Sequence, residues 1–248
     1  MILIRSIFHL LCSSAWTLIV ALIGLPGLVT RASALWVIRF WVHGMVFLAH
    51  WLVGIRFEIR GKQYMDLEPS IIAAQHQSAF ETFVLFLLFK RPVFILKQSL
   101  QWIPLVGWYI KRGGLITINR SAGASAMRRI LKAADTAIAN GETVLIFPEG
   151  TRTHPRARQD YKPGVIALYN HCQAPLVPMA LNTGYFWGKN RLTKIPGTIV
   201  FEFLAPVAKG LDRNIFLSSL RHSIETTAAA LPKSDDIPAN KRIPTRED

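Results

Sequence analysis

Acidic residues are scarce in this chain and unevenly placed. None occurs before Glu58 and none lies between Glu81 and Asp135. With 15 Asp+Glu against 29 Lys+Arg, the formal charge is +14 and the pI about 10.3. That balance excludes an acidic solvating chain and favours anionic partners: nucleic acid, an anionic membrane surface or phosphorylated substrates. Cysteine is nearly missing too. Cys12 and Cys172 are the only two, so there is no disulfide framework and no cysteine metal quartet, and a reducing compartment is the simplest setting. Charged residues make up 18% of the 248, below the roughly 25% of an average soluble domain. Long uncharged stretches are confined to the N-terminus, which excludes a polytopic transporter. The chain also lacks G-x-S-x-G, G-x-x-x-x-G-K-[ST], G-x-G-x-x-G, H-E-x-x-H and C-x-x-C. Serine-elbow hydrolase, P-loop, dinucleotide-binding and zinc-site readings therefore have no motif to stand on.

What the chain has in quantity is apolar surface. Hydrophobic residues reach 51% and the mean hydropathy is +0.28, enough for one domain with a proper core plus an appendage. Residues 10–29, LLCSSAWTLIVALIGLPGLV, carry no charge and are long enough to cross a hydrocarbon core as a helix. A cleaved signal peptide is the rival reading, because Ala32-Ser33-Ala34 imitates a cleavage site. The apolar run is too long for it, and Arg31 stands where a neutral approach is preferred. Residues 34–55 form a second hydrophobic stretch. Arg39, His43 and His50 fall on one narrow stripe of a helix, facing a partner helix, the attached domain or head groups. Trp36, Trp41 and Trp51 suit a membrane interface. Residues 1–55 are thus expected to be a two-helix membrane module.

From Glu58 onward the pattern changes to short β-branched runs alternating with helical ones. Strands are expected at 70–75, 93–97, 114–118, 143–147, 176–181 and 198–204, with helices at 79–89, 121–140, 163–172 and 212–231, Ser121 capping the second. This alternation predicts an α/β layered domain over 56–231 with a mainly parallel sheet and flanking helices. Residues 232–248, with three prolines and mixed charge, read as a loose tail.

Two stretches have the composition of a reactive site. His76 follows an expected strand and Glu81 follows five residues later, so the carboxylate can hold one ring nitrogen and raise the basicity of the other. Ser78-x-x-Glu81 is equally a helix capping box, with Glu81 reaching back to a backbone N–H. Phe147-Pro148-Glu149-Gly150-Thr151-Arg152 closes the strand TVLIF, and strand carboxyl ends are where open α/β sheets bind ligands. Arg152 offers a fork suited to phosphate or carboxylate. Alternatively, the stretch is a simple turn with a solvated arginine. Lys97 and Arg120 each sit at or just past a strand end, where an anion can be held, whereas Arg128, Arg129 and Lys132 read as a solvated or membrane-facing helix surface. A nucleic-acid module would need a recognition helix or an exposed aromatic platform. Most aromatics here fall inside hydrophobic runs, so no nucleic-acid partner is expected.

Taken in order, these blocks resemble the glycerolipid acyltransferase family, in particular its bacterial branch that acylates lysophosphatidate. His76 and Glu81 match an H-x4-D block, Gly114–Arg120 a G-x-I-x-I-x-R block, residues 147–152 an F-P-E-G-T-R block and Val177-Pro178 a V-P block. Lys162-Pro163-Gly164 and Leu181–Gly184 also look like stretches of that family. Glu81 replaces the usual Asp, and Gln75 stands where Asn is common.

The resemblance implies a membrane-bound enzyme of phospholipid synthesis that moves a fatty acyl group from a thioester to the sn-2 hydroxyl of lysophosphatidate. His76 would be the base and Glu81 its orienting partner. Lys97, Arg120, Glu149, Gly150, Thr151 and Arg152 would bind or shape the phosphate site. No cofactor and no metal is implied. The partners would be acyl-acyl carrier protein or acyl-coenzyme A and membrane lipids, and the site the cytoplasmic face of a bacterial inner membrane. Two other functions fit the same sequence: acylation of another lyso-lipid such as lyso-ornithine lipid, or non-catalytic binding of anionic lipid by a peripheral membrane protein.

Overall fold

The computed structural model describes residues 1–119, 122–189 and 191–236. Two long helices come first, α1 (Ile2–Ile23) and α2 (Arg31–Val53). Then follow β1 (Ile55–Arg60), α3 (Lys62–Met65), β2 (Ile71–Ala74), α4 (Phe80–Leu88), β3 (Pro92–Lys97), α5 (Val106–Arg112), β4 (Ile116–Ile118) and α6 (Gly123–Ala139). The chain continues through β5 (Thr143–Ile146), α7 (Pro163–His171), β6 (Leu176–Leu181), α8 (Thr183–Phe186), β7 (Gly197–Phe203) and α9 (Arg213–Ala230). The seven strands form one sheet in the order β1-β7-β6-β2-β5-β3-β4. Every neighbouring pair is parallel except β6 and β7. The α/β class with a mainly parallel sheet is therefore as expected.

The central strands explain themselves. β2 (IIAA), β5 (TVLI) and β6 (LVPMAL) are buried at every position, because helices cover both faces and leave no side for polar residues. On one face α2 and α4 pack through Val42, Ala49, Phe80, Val84 and Leu85. On the other, α6, α7 and α9 pack through Ile130, Ala134, Val165, Phe216 and Leu220. β1 was not expected as a strand. It begins directly after α2, at a left-handed Gly54 (φ 73°), so its first residue merged with the hydrophobic run. It is an edge strand, parallel to β7.

The N-terminal hairpin lies along the domain and is bonded to it near both ends. At one end the Lys194 backbone N–H donates to Ser6 Oγ (2.9 Å), while Arg5 Nε ties α1 to the end of α2 through Leu52 O. At the other, Tyr109 of α5 donates to Ala21 O (3.1 Å), and Arg31 reaches Gly113 O and Glu142. α2 starts with a capping box between Thr30 and Ser33, which satisfies its first free amides.

The expected Arg39–His43–His50 stripe divides. His43 is exposed, whereas Arg39 turns to the domain and donates to Leu87 O, Phe89 O and Lys90 O at the end of α4. Of the three tryptophans read as interfacial, Trp36 and Trp51 point outward. Trp41 turns inward, its indole N–H on Thr17 Oγ1. Arg39 thereby caps the helix that begins next to His76. Charged hydrogen bonds are worth about 1.5–3 kcal/mol, so Arg39→Ala should lower the melting temperature by several degrees. Arg39→Lys should restore only part, since a single ammonium cannot span three carbonyls. A thermal melt of the alanine variant superimposing on wild type would show that the cap carries no load.

Past α9 the chain stays on the domain as far as Ser234. Asn182 Nδ2 donates to Pro232 O (2.7 Å), and Ser234 is buried.

Candidate active site

β2 and β5 lie side by side at the centre of the sheet, and both blocks singled out in the sequence emerge from their carboxyl ends. His76 leaves β2 just ahead of α4. Its Nδ1 lies 2.8 Å from Glu81 Oε1. The same oxygen accepts the backbone N–H groups of Gln77 (2.8 Å) and Ser78 (2.7 Å). The two contacts expected of Glu81 are both present: one carboxylate oxygen accepts the amides just ahead of α4 and lies against the imidazole. Ser78 Oγ meanwhile accepts from Phe80 N. Glu81 is fully buried, and a buried carboxylate persists only when neighbouring donors support it. The longer Glu side chain thus reaches His76 without loss of the contact.

The ring is fixed on its face as well. Phe147 stacks on it at 4.1 Å between centroids and 18° between planes. The other face of the mechanism-bearing turn is held by the second block. The His76 N–H donates to Glu149 Oε2 (2.7 Å), and Thr153 N–H donates to His76 O (2.7 Å). Glu149 was expected among the groups shaping an anion site. It lines the same cavity as Lys97 and Arg152, and its described hydrogen bond runs to the backbone of His76, so it also positions the histidine. Gly150 (φ 68°) sits against Lys162, where a Cβ would approach that side chain to 3.2 Å.

Burial pushes the Glu149 carboxyl up to about 7, helped by the nearby Glu81 charge and opposed by the His76 N–H. Between its ordinary 4.5 and about 7 the folded chain therefore holds a proton that the unfolded chain releases. The contribution to stability is complete below 4.5 and declines as the pH rises through 7. Glu149→Gln removes that titration while keeping an oxygen to accept from His76. Relative to wild type, its melting temperature should rise from about pH 5 to about pH 8. Its activity should largely survive. Glu149→Ala leaves the His76 N–H without its partner, a loss of about 1–3 kcal/mol, and should lower kcat more than it raises KM. A melting difference independent of pH would contradict this placement of the carboxyl.

His76 stands at the mouth of a cavity of about 1160 Å³. Near the mouth its wall includes Lys97, Thr151, Arg152 and Lys162; deeper it is aliphatic and aromatic, with Phe83, Phe86, Ile110 and Ile130. Its far wall includes Val20 and Ala21 of α1 and Val37, Trp41 and Val42 of α2. Lys97, Arg152 and Lys162 are exposed, and among the described residues their side chains have no hydrogen-bonding or ionic partner. Five of the expected anion-site residues, Lys97, Glu149, Gly150, Thr151 and Arg152, thus line one cavity with His76. Arg120 and Ser121 lie outside the described residues. Lys162 was not expected as a site residue; its only signal was the Lys-Pro-Gly stretch before α7.

A histidine held by a buried carboxylate, beside a largely apolar cavity whose wall carries exposed cations, has groups suited to an amphiphile. The acyltransferase family model matches residues 56–182, which contain both blocks and the whole of β2, β3, β4, β5 and β6. The chain belongs to the acyltransferase family. This acyltransferase is 35% identical over 174 residues to the 1-acyl-sn-glycerol-3-phosphate acyltransferase of Pseudomonas aeruginosa, covering 70% of this chain and 68% of that protein. It is 27% identical over 227 residues to the mouse (Mus musculus) 1-acyl-sn-glycerol-3-phosphate acyltransferase alpha, covering 88% and 79%. The fold is that of the crystal structure of the 1-acyl-sn-glycerophosphate acyltransferase from Thermotoga maritima. The TM-score is 0.69 at 20% identity over 91% of this acyltransferase and 96% of that chain.

Proposed function

We propose that this acyltransferase moves a fatty acyl group from an acyl thioester to the sn-2 hydroxyl of lysophosphatidate, giving phosphatidate. The observation that carries the reading is the His76–Glu81 pair at the mouth of the apolar cavity, with Lys97, Arg152 and Lys162 on its rim. The names of the Pseudomonas and mouse relatives supply the acceptor.

Glu81, holding Nδ1–H, leaves Nε2 of His76 with a free lone pair. Nε2 takes the proton of the acceptor hydroxyl as that oxygen attacks the thioester carbonyl. The tetrahedral intermediate then collapses, the C–S bond breaks, and the imidazolium returns the proton to the departing thiolate. The products are an ester and a free thiol, and no covalent enzyme intermediate is needed. Glu81 stabilises the transient imidazolium at 2.8 Å. Arg152, Lys97 and Lys162 hold the phosphate, joined by Arg120 on the strength of its family block, while Gly150 and Thr151 shape the turn between them. The cavity takes a hydrocarbon chain, since apolar surface is its main lining and burying methylenes is favourable by about 0.8 kcal/mol each.

The donor carrier is acyl carrier protein or coenzyme A, both cytosolic. Residues 1–55 contact the inner membrane, and residues 56–231 form the catalytic domain on its cytoplasmic face. Two apolar helices of 22 and 23 residues support membrane association. Purified full-length protein mixed with lysophosphatidate and an acyl thioester should produce phosphatidate and thiol in equal amounts. Absence of phosphatidate with both donor classes would rule the reading out.

A further inference from the structure

The segment between β3 and β4 carries a feature that the reaction does not use. Gln98–Trp102 forms a 3₁₀ turn and α5 follows at Val106. Together they expose Trp102 (74%), Ile103 (44%) and Trp108 (52%). Single exposed apolar residues are ordinary, but three large ones within seven positions form a patch, and patches of this kind mark interaction sites. The opposite side of the same segment faces inward, where Leu100, Val106 and Ile110 line the cavity. The segment is thus a wall, apolar on both sides.

It is also held in place. Leu105 adopts φ 64° at the corner before α5, a strained conformation for a residue with a side chain that persists only under outside constraint. That constraint is visible: Leu105 packs on the cluster of Val20, Ala21, Ala34 and Val37 from the hairpin. The Tyr109 hydroxyl ties α5 to Ala21. The patch therefore adjoins the tip of the apolar hairpin and is fixed relative to it.

The charge around it has one sign. No acidic residue occurs from 82 to 134. Lys111 Nζ lies 5.6 Å from the centre of the Trp102 ring, and Arg112 is exposed next to it. Tryptophan beside lysine and arginine is the composition that settles at the head-group level of a bilayer, and the cations favour an anionic leaflet. We propose that Gln98–Arg112 is a second lipid-docking element, which seats Trp102, Ile103 and Trp108 in the interface of an anionic bilayer. It rests on the reading that the hairpin meets a membrane, and it places one cavity wall in contact with the lipid phase. The hairpin alone would bind lipid without this wall touching it.

The test uses full-length protein with Cys12→Ser, the buried Cys172 being left unchanged, and an environment-sensitive fluorophore on a cysteine introduced by Trp102→Cys. Leu18→Cys on the outer side of α1 and Asp212→Cys before α9 serve as references. In vesicles of anionic phospholipid, the probe at 102 should shift to the blue and be quenched by brominated chains, as the probe at 18 is. The probe at 212 should stay water-like. A lipid-like signal at 18 with a water-like one at 102 overturns the proposal and leaves the membrane reading standing. Water-like signals at both overturn the two together. A shift at 102 that needs added acidic carrier protein would assign the patch to that protein and overturn lipid docking. If the labelled protein does not fold, unlabelled Trp102→Phe with Trp108→Phe decides. Brominated anionic vesicles should quench less of its tryptophan emission than of wild type, and an equal fraction would overturn the proposal.

Discussion

His76→Ala should abolish turnover while leaving the fold and the hairpin contacts intact. Its ring makes one polar contact, to Glu81, and one stacking contact, to Phe147, so its removal costs little packing. Loss of a general base is worth about 10²–10⁴-fold, and here the same ring also supplies the proton for the leaving thiolate. The graded series at Glu81 separates its two duties. Glu81→Gln keeps an oxygen to accept from the Gln77 and Ser78 amides but withdraws the charge that stabilises the imidazolium. It should fold normally and lose most of kcat. Glu81→Asp keeps the charge and should retain substantial activity. Glu81→Ala should lose both activity and stability, because two buried amides are left without a partner. An active His76→Ala protein, or a Glu81→Gln enzyme of wild-type kcat, would remove the proposed base and its partner.

The second large effect belongs to Arg152. It is exposed at the cavity mouth, with no partner among the described residues, so a ligand is free to engage both arms of its fork. A phosphomonoester is compact, nearly dianionic at neutral pH and suited to bidentate contact. Arg152→Ala should lower kcat/KM for lysophosphatidate by roughly ten- to hundredfold, the equivalent of a charged hydrogen bond of about 1.5–3 kcal/mol. Arg152→Lys should recover part of that. Lyso-ornithine lipid, which offers a carboxylate beside an ammonium, should be the poorer acceptor for wild type and should lose less from the substitution. Equal losses for both acceptors, or a wild-type preference for lyso-ornithine lipid, would contradict an arginine chosen for phosphate.

Much of this site was legible because it is local. His76, Glu81 and the turn from Phe147 to Arg152 each sit within a few residues of a strand end, and a parallel sheet brings such ends to one edge. The competing explanations of Glu81 could not be separated by sequence, since capping and orientation use the same atom. What sequence did not disclose depends on distant partners. Glu149 reads as a rim residue until the sheet sets it against the backbone of a residue 73 positions away. Lys162 lines the cavity beside Gly150, a neighbour it meets only in the fold. The hairpin's place was likewise hidden: its apolar residues announce lipid, but Val42 and Ala49 complete the core and Val20 and Val37 wall the cavity. β1 escaped notice because an edge strand needs only weak alternation, and Gly54 joins it to the helix without a loop.

The central claim is that the acceptor hydroxyl is the nucleophile and His76 its base. It is tested most directly by mixing the enzyme with acyl thioester and a lysophosphatidate analogue lacking the sn-2 hydroxyl, then following thiol release rapidly and measuring the intact mass of the protein. Direct transfer predicts no burst of thiol and an unchanged mass, with normal turnover once true lysophosphatidate is added. A burst approaching one thiol per enzyme, with an acyl group added to the protein, would show that a residue of the chain is acylated first.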